Sequence, residues 1–210
     1  MNSERVSTKE RLLEVAEELF AERGVDATLV GDIVQGAGQR NPSALRYHFG
    51  SREGVLEAIL QKHLSRVEER RTELFEQWSG PGPETVRDAV SLIVTPLVEL
   101  LDSQSGRRHL QILAQSVHRF DQSQLDALSL SYPTMAATVR LMGRAIGQLP
   151  EAVIEERVRS VLQLTMTMLS VRARSLSTGS DIPLSAKVFE ENLVAMVTAA
   201  LTAPLSPEQS

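Results

Sequence analysis

Two helix signals in residues 28–52, TLVGDIVQGAGQRNPSALRYHFGSR, lie so close together that only a tight turn fits between them. In the first, Thr28 stands as a hydroxyl N-cap, and Val30, Ile33, Val34 and Ala37 recur at helical spacing. Gly38 ends that run, because glycine takes the left-handed C-terminal conformation without a Cβ penalty. The second opens with Asn41 as N-cap and Pro42 at the first helical position, where a missing N–H costs nothing. The segment reads as two short helices separated by a tight turn.

The second helix divides by face. Ala44, Leu45 and Phe49 turn inward, while Ser43, Arg46, Tyr47 and His48 offer hydroxyls, a guanidinium and an imidazole outward. A plain solvated helix would carry Glu and Lys there. The actual set suits a helix laid in a DNA groove, where such groups reach phosphates and base edges.

The runs TKERLLEVAEELFAERGVDATLVGDIVQGAG, residues 8–38, and SALRYHFGSREGVLEAIL, residues 43–60, resemble the N-terminal DNA-binding domain of TetR-family transcriptional regulators. The motifs carrying the resemblance are LFAERG, the second helix with its Asp-Ile, the Ala-Gly turn, the aromatic Tyr-His-Phe and the Ser-Arg-Glu start of a linking helix. Together they span roughly residues 6–68. The resemblance implies double-stranded DNA as partner, contacted by Thr28, Gln39, Arg40, Asn41, Ser43, Arg46, Tyr47, His48 and Arg52. Between Ala37-Gly38 and Tyr47-His48-Phe49 the chain runs one residue longer than the commonest family pattern, so Gln39 and Arg40 are expected to be presented differently. Gly31 and Gly36, inside the first helix of the pair, each cost about 1 kcal/mol against Ala.

The 210 residues allow one or two domains, and 42% hydrophobic content supports a core. The absence of cysteine excludes disulfides and thiolate sites, which fits a reducing cytoplasm. The opening MNSERVSTKE is charged and lacks an apolar signal region, and no stretch approaches the roughly 18 apolar residues that span a bilayer. A soluble cytoplasmic protein is expected. Net charge is −5, and residues 1–50 carry six Lys and Arg against eight Asp and Glu, so DNA binding must rest on the local cluster Arg40, Arg46 and Arg52 and be salt-dependent.

Ser7 and Glu10 form a capping box at the start of a first helix whose stripe is Leu12, Leu13, Ala16, Leu19 and Phe20; Glu14, Glu17, Glu18 and Glu22 read as its solvated face. Ser51 caps a long helix to about residue 78, and SGPGP ends it. Helices follow near 84–102, 106–119, 122–131, 133–148, 151–177 and 185–203, with Pro96 expected to kink or split the first. The chain is therefore expected to be all-α with about nine helices. Residues 1–51 form a helix-turn-helix domain, about 52–78 a linking helix, and 79–210 an effector-binding and dimerisation domain.

If the family pattern holds, residues 84–148 make an effector pocket, for which Trp78, His109, Leu113, His118, Met135 and Met142 are candidates. Two late stripes, with Val158, Leu162 and Leu169 in one and Phe189, Leu193, Met196, Val197 and Ala200 in the other, suit burial either within one chain or between two. The resemblance favours the second, since similar regulators dimerise through a four-helix bundle, and a homodimer would read a palindromic operator with half-sites about 34–36 Å apart. An effector of unknown identity would shift the population between two dimer states, with repression as the default. No motif for a metalloprotease, P-loop, helical di-iron site or serine hydrolase is present. No enzyme activity, metal or cofactor is expected, and the alternatives are a ligand-independent helix-turn-helix DNA binder or an all-helical enzyme.

Overall fold

The computed structural model describes residues 7–41, 43–77, 85–116, 130–147 and 149–205. Among them are nine α-helices, one 3-10 turn and no strand: α1 Thr8–Arg23, α2 Val30–Gly36, α3 Ser43–Phe49, α4 Arg52–Glu76, α5 Val86–Val98 with the 3-10 turn Glu99–Asp102, α6 Gln104–Ser116, α7 Pro133–Ile146, α8 Glu151–Thr178 and α9 Ala186–Thr202. The all-α expectation is met. The SGPGP breaker and most of the 122–131 helix lie outside the described residues.

The caps work as local chemistry dictates. Ser7 Oγ accepts from the Glu10 amide and Glu10 reaches back to the Ser7 amide. Ser51 and Ser185 likewise accept the third-residue amides of α4 and α9. Leu12, Ala16 and Phe20 of α1, Ile33 of α2, Leu45 of α3, and Val55 and Ile59 of α4 are all at most 2% exposed and share one core. That core continues without a break into the body, where α6 packs on α8, α9 lies against α5 and α8, and α5 meets α7.

Helix α5 runs through Pro96 instead of splitting there, and tightens into the 3-10 turn only after Val98. Proline has no N–H for the Leu92 carbonyl one turn back. The missing donor comes from α4: Arg71 Nε bonds to Leu92 O at 3.1 Å. Arg71 is in turn held by Glu68 Oε2, and Glu68 Oε1 accepts the amides of Thr134 (2.6 Å) and Met135 (3.2 Å) at the start of α7. One buried ion pair thus satisfies two helix defects that would otherwise leave polar backbone unpaired.

Among the described residues no helix is long and apolar enough to cross a membrane.

Candidate nucleic-acid interface

The turn between α2 and α3 is set by α2's last residues. Gly38 has φ +69°, its amide donates to Gln35 O at 3.0 Å, and the Gln39 amide donates to Val34 O at 2.9 Å. These are the paired bonds of a Schellman end, which any side chain at the glycine would strain. Gly36 has a different reason: a Cβ there would stand 2.7 Å from Val15 Cγ1, so its presence lets α2 lie directly on α1. On the far side of the turn, Asn41 Oδ1 accepts the Ser43 amide at 2.9 Å, as an N-cap should, while Pro42 lies outside the described residues.

With Leu45 anchored at 2% exposure, α3 turns Ser43, Arg46 and Tyr47 outward, Tyr47 at 85% exposed. His48 is half-buried and stacks edge-on against both Tyr47 and Phe49. Asn41, Ser43, Arg46 and Arg52 border one open groove running from α3 to the start of α4, with Arg40 exposed and Gln39 half-buried in the adjoining turn. Two residues near this face were not singled out by pattern: Leu29, 65% exposed at the start of α2, and Lys9, whose ammonium lies 5.9 Å from the Phe49 ring centroid. An exposed apolar residue beside a helix start was the one available signal.

Several expected residues are used elsewhere. Thr28 neither caps α2 nor faces outward: it is 0% exposed, and its hydroxyl lies within hydrogen-bonding reach of the carbonyls of Leu19 (3.2 Å) and of Gly24 (2.8 Å), the latter just past the end of α1, where a carbonyl lacks a helical donor. Arg52, only partly exposed, donates to the carbonyls of Val25 and Asp26 and pairs with Glu53, so it fastens α4 to the turn after α1. Glu17 is not on a solvated face. It is 3% exposed and meets Lys62 Nζ at 3.0 Å, the Ser105 hydroxyl, and His63 Nε2 at 3.8 Å. Burial alone would raise its pKa, but the neighbouring His63 ring and the bonds from Ser105 and Lys62 outweigh it and bring the group down to about 2.

His109, proposed for a pocket, lies on α6 beside this cluster, fully buried, with its ring 4.5 Å from that of His63 and neither nitrogen hydrogen-bonded among the described residues. Burial above all, helped by His63 and Lys62 against Glu17, pulls its pKa down to about 3. Leu113 is buried and Met135 half-buried, while Trp78 and His118 lie outside the described residues. Met142 borders a narrow apolar cleft of about 20 Å³ between α5, α7, α8 and α9. Val158, Leu162 and Val197, expected at a dimer interface, line this cleft instead, and Leu169, Phe189 and Leu193 are consumed by packing of α8 and α9 inside the chain. The apolar area of Val197, Leu169, Phe189 and Leu193 is already covered, while Val158 and Leu162 remain partly exposed. Met196 and Ala200 do face outward, with Val171, Leu176 and Val188.

A sequence model of the family described as "Bacterial regulatory proteins, tetR family" matches residues 12–59, which hold α1, α2, α3 and the start of α4. Over this segment the chain is similar to that family. The HTH-type transcriptional repressor KstR2 of Mycobacterium tuberculosis H37Rv is 37% identical over 75 residues, 36% of this chain and 37% of the relative. The uncharacterized HTH-type transcriptional regulator YdgC of Bacillus subtilis 168 is 33% identical over 102 residues, 49% of this chain and 51% of its own. The chain is therefore matched over about half or less of the length of these HTH-type relatives. In fold, it is similar over nearly its whole length to a putative tetR family transcription regulator from Shewanella sp. PV-4, with TM-score 0.60 and 19% identity over 92% of this chain and 97% of the other. The TetR-family regulator PfmR of Thermus thermophilus gives TM-score 0.53 and 24% identity over 93% and 100%.

Proposed function

We propose that this chain is a homodimeric, sequence-specific DNA-binding regulator, acting as a repressor that a small-molecule effector releases. The observation that carries the reading is the outward face of α3, a short helix anchored by Leu45 that holds Ser43, Arg46 and Tyr47 in solvent within the segment matched to the family. Arg40 and Arg46 would neutralise phosphates, while Ser43, Tyr47 and Leu29 would meet base edges and thymine methyls. Because the whole chain carries −5, affinity rests on those few cations and falls steeply with salt.

One seven-residue helix covers too little DNA for specificity, so two copies related by a two-fold axis would read half-sites about 34–36 Å apart. The exposed apolar residues Val171, Leu176, Val188 and Met196 on the outward sides of α8 and α9 support that surface as the interface, with Ala195 and Ala199 small enough to let helices approach closely. The named repressors among the relatives support repression. On this reading residues 1–51 are the DNA-reading unit and the remainder binds effector and partner, in the cytoplasm and without catalysis or cofactor.

The test is selection of duplexes from a random pool by purified protein, followed by affinity across a salt series. A recovered palindrome bound with a steep salt slope supports the proposal. Recovery of no preferred sequence, at any salt, refutes it.

A further inference from the structure

The DNA-reading segment is fastened to the body by more than α4. Helix α6, about ninety residues away in sequence, meets α1 along a polar seam. Ser105 donates to Glu17 Oε1, Arg108 Nη2 bonds Glu18 at 2.6 Å, and Gln115 Oε1 accepts the Val25 amide at 3.1 Å. Ser105 and Arg108 stand one turn apart on α6 and meet the neighbouring Glu17 and Glu18 of α1, while Gln115 reaches Val25 just beyond the end of α1, so the two helices run alongside in the same direction.

The centre of the seam is a saturated network. Ser105 Oγ also stands 3.2 Å from Lys62 Nζ and 3.2 Å from His63 Nε2. Its single proton goes to Glu17, so the lysine and the imidazole must both donate to it, which puts the His63 proton on Nε2. Glu17 is 3% exposed and receives Ser105 on one oxygen and Lys62 on the other. Sliding α6 along α1 would strand a buried carboxylate, which is far more costly than loosening apolar contacts. The seam is therefore closed in one register or opened to water, with little in between.

We infer that Glu17 and Ser105 are positioning residues that hold the α1–α3 unit, and with it α3, at one fixed orientation to the body. The inference rests on the DNA-binding reading for its consequence but not for its geometry. Because α6 also packs on α8, which lines the apolar cleft, the seam gives α6 a direct grip on the reading unit beside the one exerted by α4.

The chain has no cysteine, so spin labels can be placed at will. Full-length protein carrying Glu22→Cys on α1 and Arg87→Cys on α5, both exposed, is labelled, mixed with excess unlabelled chain, and measured by pulsed EPR. A single narrow distance is expected in this parent and in Ser105→Thr, which keeps the hydroxyl. Ser105→Ala combined with Arg108→Ala should broaden or shift it. Affinity for the duplex the parent selected should then fall by about five-fold or more, the lower end of typical coupling between sites. If the double variant does not fold, Ser105→Ala alone, which removes the hydroxyl at the centre of the seam, is read the same way. An unchanged narrow distance in a folded seam variant overturns the inference, even if its melting temperature moves. Should the parent select no duplex, the DNA-binding reading fails while the distances still decide the seam.

Discussion

Acid should destabilise this protein through His109, and the size of the effect follows from its surroundings. In the unfolded chain the imidazole takes a proton below about pH 6.5; in the fold, burial with His63 and Lys62 nearby holds that proton off until about pH 3. A base whose folded pKa is depressed binds more protons unfolded than folded across this window, so its share of stability is complete above pH 6.5 and lost as pH falls toward 3. At pH 5 the loss comes to about 2 kcal/mol, which for a chain of this size lowers the melting temperature by roughly 4–8 °C. Glu17 acts in the same direction but lower, its contribution disappearing as pH drops from 4.5 toward 2, so measurements at pH 5 and above separate the two. The assay is urea denaturation at pH 7.5, 6 and 5 at one protein concentration, for wild type and His109→Leu. Leucine fills a similar volume and leaves no unpaired ring nitrogen. The variant should match wild type at pH 7.5 and gain on it by about 2 kcal/mol at pH 5. Parallel pH dependences in the two proteins would refute the claim that a neutral, buried His109 is responsible.

Arg71→Ala strands the buried Glu68 carboxylate and the Leu92 carbonyl that Pro96 leaves without a donor, and should cost about 3–5 kcal/mol in denaturant unfolding. Leu169→Arg puts a charge into a fully buried site and should unfold the chain, whereas Met196→Arg, on the outward face of α9, should leave its helicity intact and lower the mass seen by analytical ultracentrifugation from dimer to monomer. Thr28→Val should cost about 1–2 kcal/mol of stability through the lost hydroxyl bonds while leaving DNA affinity per folded molecule unchanged. Arg46→Ala should show the reverse, unaltered melting with weaker binding and a salt slope reduced by about one, measured by fluorescence anisotropy.

The features legible along the chain are those whose physics is short-ranged. A capping box closes within four residues, so Ser7 and Glu10 could be recognised from spacing alone, as could Asn41 at the start of α3. Gly38 announces a left-handed residue wherever it stands at a helix end, and the outward Ser43, Arg46 and Tyr47 follow from where Leu45 must point. Thr28 misled because a hydroxyl between two helices looks identical whether it caps the later one or closes the earlier one, and here the end of α1 claimed it. Glu17 misled for a related reason: on α1 alone it belongs to a charged face, and only α6 arriving with Ser105 makes that face an interior one.

The same division runs through the late helices. Periodicity located α8 and α9 to within a residue or two and supplied their apolar stripes, because helix formation and amphipathicity depend on neighbours three and four positions away. Whether a stripe meets α5 and α6 or a second chain is decided by packing between segments about fifty to a hundred residues apart, which no local window records. Tertiary structure turned Leu169, Phe189 and Leu193 inward and left Val188 and Met196 outside. In the same way it matched the orphaned carbonyl before Pro96 with an arginine from α4: unpaired polar groups and uncovered apolar area are created locally, but their partners are found only when distant elements come together.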